Sequence, residues 1–114
     1  MKFYRLSDGS IVASFTGSIN DAEALVANTV DAAQEKHVPD VKVDGTHVSV
    51  QVGSVEHPMT EEHYILFVAV ETKSNILIKE FNPGDKPFAE FELADGDEVV
   101  ATYEYCSLHG LWKA

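Results

Sequence analysis

The sequence predicts an all-β protein, an antiparallel β-sandwich preceded by a small N-terminal hairpin. Three observations carry that expectation. From Val41 onward, short alternating or apolar runs follow one another with turn signals between them. Helical signals are confined to residues 21–36. Tyr64 to Val70 is apolar throughout, the pattern of a strand covered on both faces.

Taken in order, Lys2 to Leu6 and Ser10 to Phe15 are two short strands around the Asp8-Gly9 turn. Such a hairpin is too small to be stable alone. Asp21 is placed to cap a helical turn through Ala22–Val26. A second helical turn is expected over Thr29–Lys36, stopped before Pro39. Val41–Val43 and His47–Val52 flank Asp44-Gly45, a strong hairpin signal. Strands are then expected at Tyr64–Val70, Asn75–Phe81, Phe88–Leu93 and Val99–Tyr105. The loop Asn82–Pro87 and the turn Asp95-Gly96-Asp97 separate the last three. Residues 1–30 form an appendage, and residues 31–114 form the sandwich domain.

Composition narrows the function classes. A chain of 114 residues with 45% hydrophobic content is one ordinary domain with a real core. A single cysteine excludes an intrachain disulfide and suits a reducing compartment. No apolar leader and no bilayer-length apolar run is present, so a cytoplasmic protein without a membrane partner is expected. The formal net charge of −11 argues against nucleic acid, whose phosphates require clustered Lys and Arg.

Chemistry concentrates in three segments: Glu35-Lys36-His37-Val38-Pro39, the stretch Gly53 to Ile65, and Tyr105 to Lys113. They hold His37, His57, His63, His109 and the sole cysteine, Cys106, all at strand ends or in loops, where sites are usually built. His47 sits inside a strand pattern and reads as a cross-strand polar residue. A thiolate and an imidazole three positions apart can share one metal ion. Three metals compete on these residues alone. Structural zinc would close on four ligands and leave one candidate spare. Blue copper usually needs a methionine shortly after the last histidine, and only Gly110 to Ala114 follow here. Non-haem iron accepts several imidazoles plus a thiolate and leaves a position open.

The segments resemble the superoxide reductases, the family of desulfoferrodoxin and neelaredoxin. The resemblance runs from Asn28 to Lys113 through Glu-Lys-His-Val-Pro at 35–39, Gly-Ser-Val-Glu-His-Pro-Met-Thr-Glu-Glu-His-Tyr-Ile at 53–65, Pro-Gly-Asp-Lys-Pro at 83–87 and Tyr-Cys-Ser-Leu-His-Gly-Leu-Trp-Lys at 105–113. It implies an immunoglobulin-like sandwich with one mononuclear iron. His37, His57, His63 and His109 fall on the family's equatorial ligands, and Cys106 falls on its axial thiolate. Glu35 matches a carboxylate that can close the open sixth position, and Lys36 matches the cation beside it. The activity implied is one-electron reduction of superoxide to hydrogen peroxide.

Longer family members carry a rubredoxin-like domain with four cysteines at their N-terminus. Residues 1–30 resemble its start with the cysteines gone, a remnant without metal. The resemblance therefore implies an external electron donor such as rubredoxin, and a homo-oligomer, dimer or tetramer. The alternative function is a non-catalytic electron-transfer or metal-storage protein on the same sandwich. Glu35-Lys36 beside His37 suits an open metal better than a shielded one.

Overall fold

A computed structural model of the chain describes residues Met1–Ala114. The N-terminal hairpin forms as its turn residues require. Strands β1 (Lys2–Arg5) and β2 (Ile11–Ser14) pair antiparallel, with Gly9 at φ 88° in the turn. The side chain of Asp8 accepts from the Ser10 N–H at 2.9 Å.

The helical turn expected over Ala22–Val26 is instead strand β3 (Glu23–Ala24), paired antiparallel to β1. Asp21 has φ 60°, in the left-handed region, and so cannot take the extended conformation of a helix N-cap. The free edge of β1 recruits this segment. Leu25 N–H donates to Phe3 C=O at 2.9 Å, and Arg5 pairs with Glu23 at 2.8 Å. The second expected helix shrinks to one turn, α1 (Gln34–His37). Asn28, at φ 63°, is held on the strand β10 (Gly110–Lys113) instead. Its side-chain oxygen accepts from Lys113 N–H at 2.8 Å, and its amide donates to Lys113 C=O at 3.0 Å. In both places tertiary pairing overrides a weak local helix preference.

Seven strands make the sandwich. They are β4 (Pro39–Asp44), β5 (His47–Val52), β6 (Ile65–Thr72), β7 (Ile76–Glu80), β8 (Phe88–Glu92), β9 (Val99–Cys106) and β10. One sheet has the order β10-β9-β6-β7 and the other β4-β5-β8, with every pair antiparallel. This is the antiparallel sandwich the sequence predicts, in the immunoglobulin-like form the family resemblance implies. Only β10 was not expected, being four residues long and following the tight turn of residues 107–109, with Gly110 at φ 77° opening the strand.

Between the sheets lie Val48, Val50 and Val52 of β5, Val68 and Val70 of β6, and Ala89, all at most 1% exposed. Each fully buried valine contributes roughly 1.5–3 kcal/mol of transfer free energy. The opposite face of the four-stranded sheet is also covered. Ala69, Ala101, Tyr103, Tyr105 and Leu111 pack with Phe3 of the N-terminal sheet. That double coverage is why β6 is apolar on both parities. His47 is cross-strand, as expected, set between Glu92 at 2.6 Å and Glu90 at 3.3 Å on β8.

The folding back of the 53–63 loop under α1 depends on Gly53. A Cβ there would lie 2.6 Å from Glu35 O, 2.9 Å from Lys36 C and 3.0 Å from Val38 O, all backbone atoms. Gly53→Ala is therefore expected to lower stability by about 1–3 kcal/mol and to weaken metal binding, since α1 must move. Denaturant unfolding and a metal titration check this; an unchanged midpoint with unchanged affinity would refute it.

Candidate metal centre

Both sheets end at the same pole, and the register brings the three segments there. Pro39 faces Val52 across β4–β5, and Ile65 faces Cys106 across β6–β9. Val55 N–H donates to Glu35 C=O at 2.9 Å, tying the 53–63 loop to α1. His63 is held in a tight turn by reciprocal backbone bonds with Thr60 at 3.0 and 3.2 Å. The turn between β9 and β10 carries Cys106 and His109, and the Leu108 and His109 amides donate toward the Cys106 sulfur.

The rings form a near-square. Centroid distances around the cycle are 4.8 Å (His37–His57), 4.5 Å (His57–His63), 5.1 Å (His63–His109) and 4.9 Å (His109–His37), with adjacent planes 71–90° apart. The diagonal pair His37–His63 is 6.5 Å apart and nearly parallel. His57 Nε2 lies 3.2 Å from His37 Nε2 and 3.5 Å from Cys106 Sγ. His109 Nδ1 lies 3.2 Å from His37 Nε2 and 3.9 Å from the sulfur. The ligand atoms of His37, His57, His63 and Cys106 all fall within 4.8 Å of one another.

These contacts are not ordinary hydrogen bonds. His37 Nδ1–H donates to Ala33 C=O at 2.7 Å, and His57 Nδ1–H donates to Pro58 C=O at 2.6 Å. Carbonyls only accept, so both protons sit on Nδ1 and both Nε2 atoms present lone pairs. Those lone pairs face each other. Protonation does not relieve them at neutral pH. Burial lowers the pKa of His57 to about 4, and it lowers His37 and His63 as well. Neighbouring imidazoles add to the lowering. His63 Nε2 is buried with no partner at all.

A transition-metal ion fits this donor set. Two atoms bound at right angles, each about 2.1 Å from an ion, sit roughly 3.0 Å apart, close to the separations here. The Nδ1–H bonds to carbonyls are the orienting contacts that metal-binding histidines require. Cys106, 0% exposed, is the softer donor; burial pushes its thiol pKa up, so without an ion it keeps its proton.

Glu35 and Lys36 are exposed on α1, and neither forms an ion pair. Both charges are felt by His37, Glu35 favouring its protonation and Lys36 opposing it. An open depression beside the site joins Lys36 and His57 to Lys86 of the 82–87 loop. Two residues of the centre went unread in the sequence. Trp112 stacks on His37, 4.9 Å between centroids and 24° from parallel, and donates Nε1–H to His109 C=O at 3.0 Å. Glu104 is 0% exposed with neither oxygen paired, and burial raises its pKa well above the usual range, so it stays neutral. Strand parity with Cys106 was the available signal for Glu104.

The sequence profile of the Desulfoferrodoxin family matches residues 29–114. The desulfoferrodoxin of Clostridium acetobutylicum is 47% identical over 90 residues, covering 79% of this chain and 70% of that protein. The crystal structure of the superoxide reductase from Treponema pallidum is 38% identical with a TM-score of 0.83, covering 100% of this chain and 99% of that one. The one-iron superoxide reductase from Giardia intestinalis is 34% identical with a TM-score of 0.59, covering 70% of this chain and 95% of that one.

The protonation states make a prediction. Between about pH 7 and 8 His37, His57 and His63 are neutral and the Cys106 thiol is protonated, so metal binding expels the Cys106 proton. Affinity for cobalt(II) or zinc(II) should rise about tenfold per pH unit there, and Cys106→Ser should lose that slope. Calorimetry in buffers of different ionisation enthalpy measures the proton count; zero, or two or more, would refute the assignment.

Proposed function

This chain belongs to the desulfoferrodoxin family, and we propose that it is a superoxide reductase acting at one iron held by His37, His57, His63, His109 and Cys106. The observation that carries this reading is the near-square of imidazoles, in which Nε2 of His37 and His57 and Nδ1 of His109 converge beside a buried thiol. Iron bound there would supply the one-electron couple that reduces superoxide.

The chain's own residues do the rest. The neutral imidazoles offer lone pairs without a protonation cost at neutral pH. Cys106 supplies a strongly donating thiolate, steadied by the Leu108 and His109 amides. Lys36 attracts the superoxide anion and orders water at the mouth. Superoxide needs one electron and two protons to become hydrogen peroxide, and that water delivers the protons. Glu35, on the same turn, would be the carboxylate placed to close the site once the product has left.

The electron must be replaced from outside, because residues 1–30 contain neither cysteine nor histidine. We assign that task to a small donor of the rubredoxin type. Residues 1–30 are read as a metal-free appendage to the iron domain of residues 31–114. The full-length match to the Treponema pallidum structure supports treating them as part of the architecture. We assign this appendage a part in assembly as a dimer or tetramer. A single buried free thiol suits the cytoplasm, and no helix is long and apolar enough to cross a membrane.

The second reading, an electron carrier without turnover, would shield its metal. The depression reaching His57 speaks against that. Steady-state assay of the iron-loaded protein should show superoxide consumed and peroxide formed with no oxygen evolved. Cys106→Ser should lose the visible ferric-thiolate band and most of the rate. If the variant kept both, the thiolate would not be the donor.

Glu35 and Lys36 should separate kinetically. Lys36→Ala is expected to slow the bimolecular reaction by several-fold to about tens-fold. Glu35→Ala should leave that step nearly intact while changing the resting ferric spectrum and admitting azide more readily. Pulse radiolysis and azide titration decide between these roles. A slowed first step with an unchanged spectrum in Glu35→Ala would reverse them.

A further inference from the structure

We propose that Lys86 is a second anion-guiding cation at the mouth of the site, acting with Lys36 on the approach of superoxide. The proposal rests on the superoxide reductase reading and extends it to a residue of a separate loop. Of the surface depressions on the molecule, one includes a ring of the imidazole square, and Lys36 and Lys86 both line it with His57.

The backbone fixes Lys86 there. Gly84 N–H donates to Met59 C=O at 2.8 Å, and Val52 N–H donates to Pro87 C=O at 3.0 Å. These bonds clamp the 82–87 loop on both sides of Lys86 against the segment that carries His57. Its ammonium lies 5.5 Å from the Phe88 ring centroid, a contact that holds the side chain without neutralising it. Arg5 and Lys73, by contrast, are each paired with a carboxylate. Lys86 has no such partner.

Charge balance gives the cation its effect. The chain carries a net −11, an unfavourable field for an anionic substrate. The depression is lined by Glu56 and Asp85 as well as Lys36 and Lys86, so its own charge sums to zero. Distant carboxylates are screened beyond a Debye length of roughly 8 Å, and the lining charges then decide what an approaching anion meets. Without Lys86 the mouth is net negative, and capture slows.

Three variants of the iron-loaded protein test this. Lys86→Met keeps the stem on Phe88 and removes the charge, Lys86→Glu reverses it, and Lys86→Arg keeps it. The bimolecular rate with superoxide across a salt series is one readout. The dissociation constant of azide for the oxidised protein, read from its visible spectrum, is the other. Lys86→Met should be slower by about two- to five-fold and Lys86→Glu by about tenfold, with azide weakened in the same order and both gaps closing as salt rises. Lys86→Arg should match the wild type, and the ferric band should be unchanged in all three. Wild-type values for Lys86→Met and Lys86→Glu, or gaps that persist at high salt, would overturn the proposal. A wild-type protein that bound azide but consumed no superoxide would instead refute the enzymatic reading, and the azide series would still decide the role of Lys86.

Discussion

Two backbone carbonyls, those of Ala33 and Pro58, decide what the histidines of this molecule can do. Each takes an Nδ1 proton and so aims an Nε2 lone pair at the common centre. In water the resulting repulsion would be relieved by protonation. Here burial works against the charged form, and His57 is driven to a pKa of about 4. What remains is a set of converging lone pairs that a metal cation satisfies. The fold around them serves to hold that arrangement: α1 presents its carbonyl through a single turn, and Gly53 lets the next loop pass under it.

The strands were legible because their chemistry is local. Alternation in His47–Val52 and the Asp44-Gly45 turn specify a half-buried hairpin, and the continuous apolarity of β6 specifies cover on two sides. The candidate ligand residues were legible as clusters of a rare type at strand ends, and the family motifs ordered them. What failed was the helical reading over 22–26, while the one over 29–36 survives only as the single turn α1 at its end. Asp21 and Asn28 both adopt positive φ, and their segments satisfy edges of strands far away in sequence. No local propensity encodes a partner that distant. Trp112 and Glu104 were missed for a related reason. Their roles lie in what the opposite strand or ring brings to them.

Glu104 and Cys106 share one face of β9, two residues apart, and burial keeps both protonated in the absence of an ion. The pole of the sandwich would therefore meet a metal ion uncharged on the interior side. The charges are distributed outside it, on α1 and on the loops that line the mouth. An acidic surface and a neutral interior can coexist because water and salt separate the surface carboxylates from the centre. The mouth is where that separation ends, so the few charges there matter more than the total.

The sole indole of the chain lies flat against His37 and is 1% exposed. Its emission is therefore free of interference from other tryptophans and comes from a ring touching one corner of the square. A coloured or paramagnetic ion at that corner drains the excited state, whereas a colourless diamagnetic one leaves the light on. The molecule thus carries its own optical gauge of which kind of ion it holds, readable in dilute solution without a label.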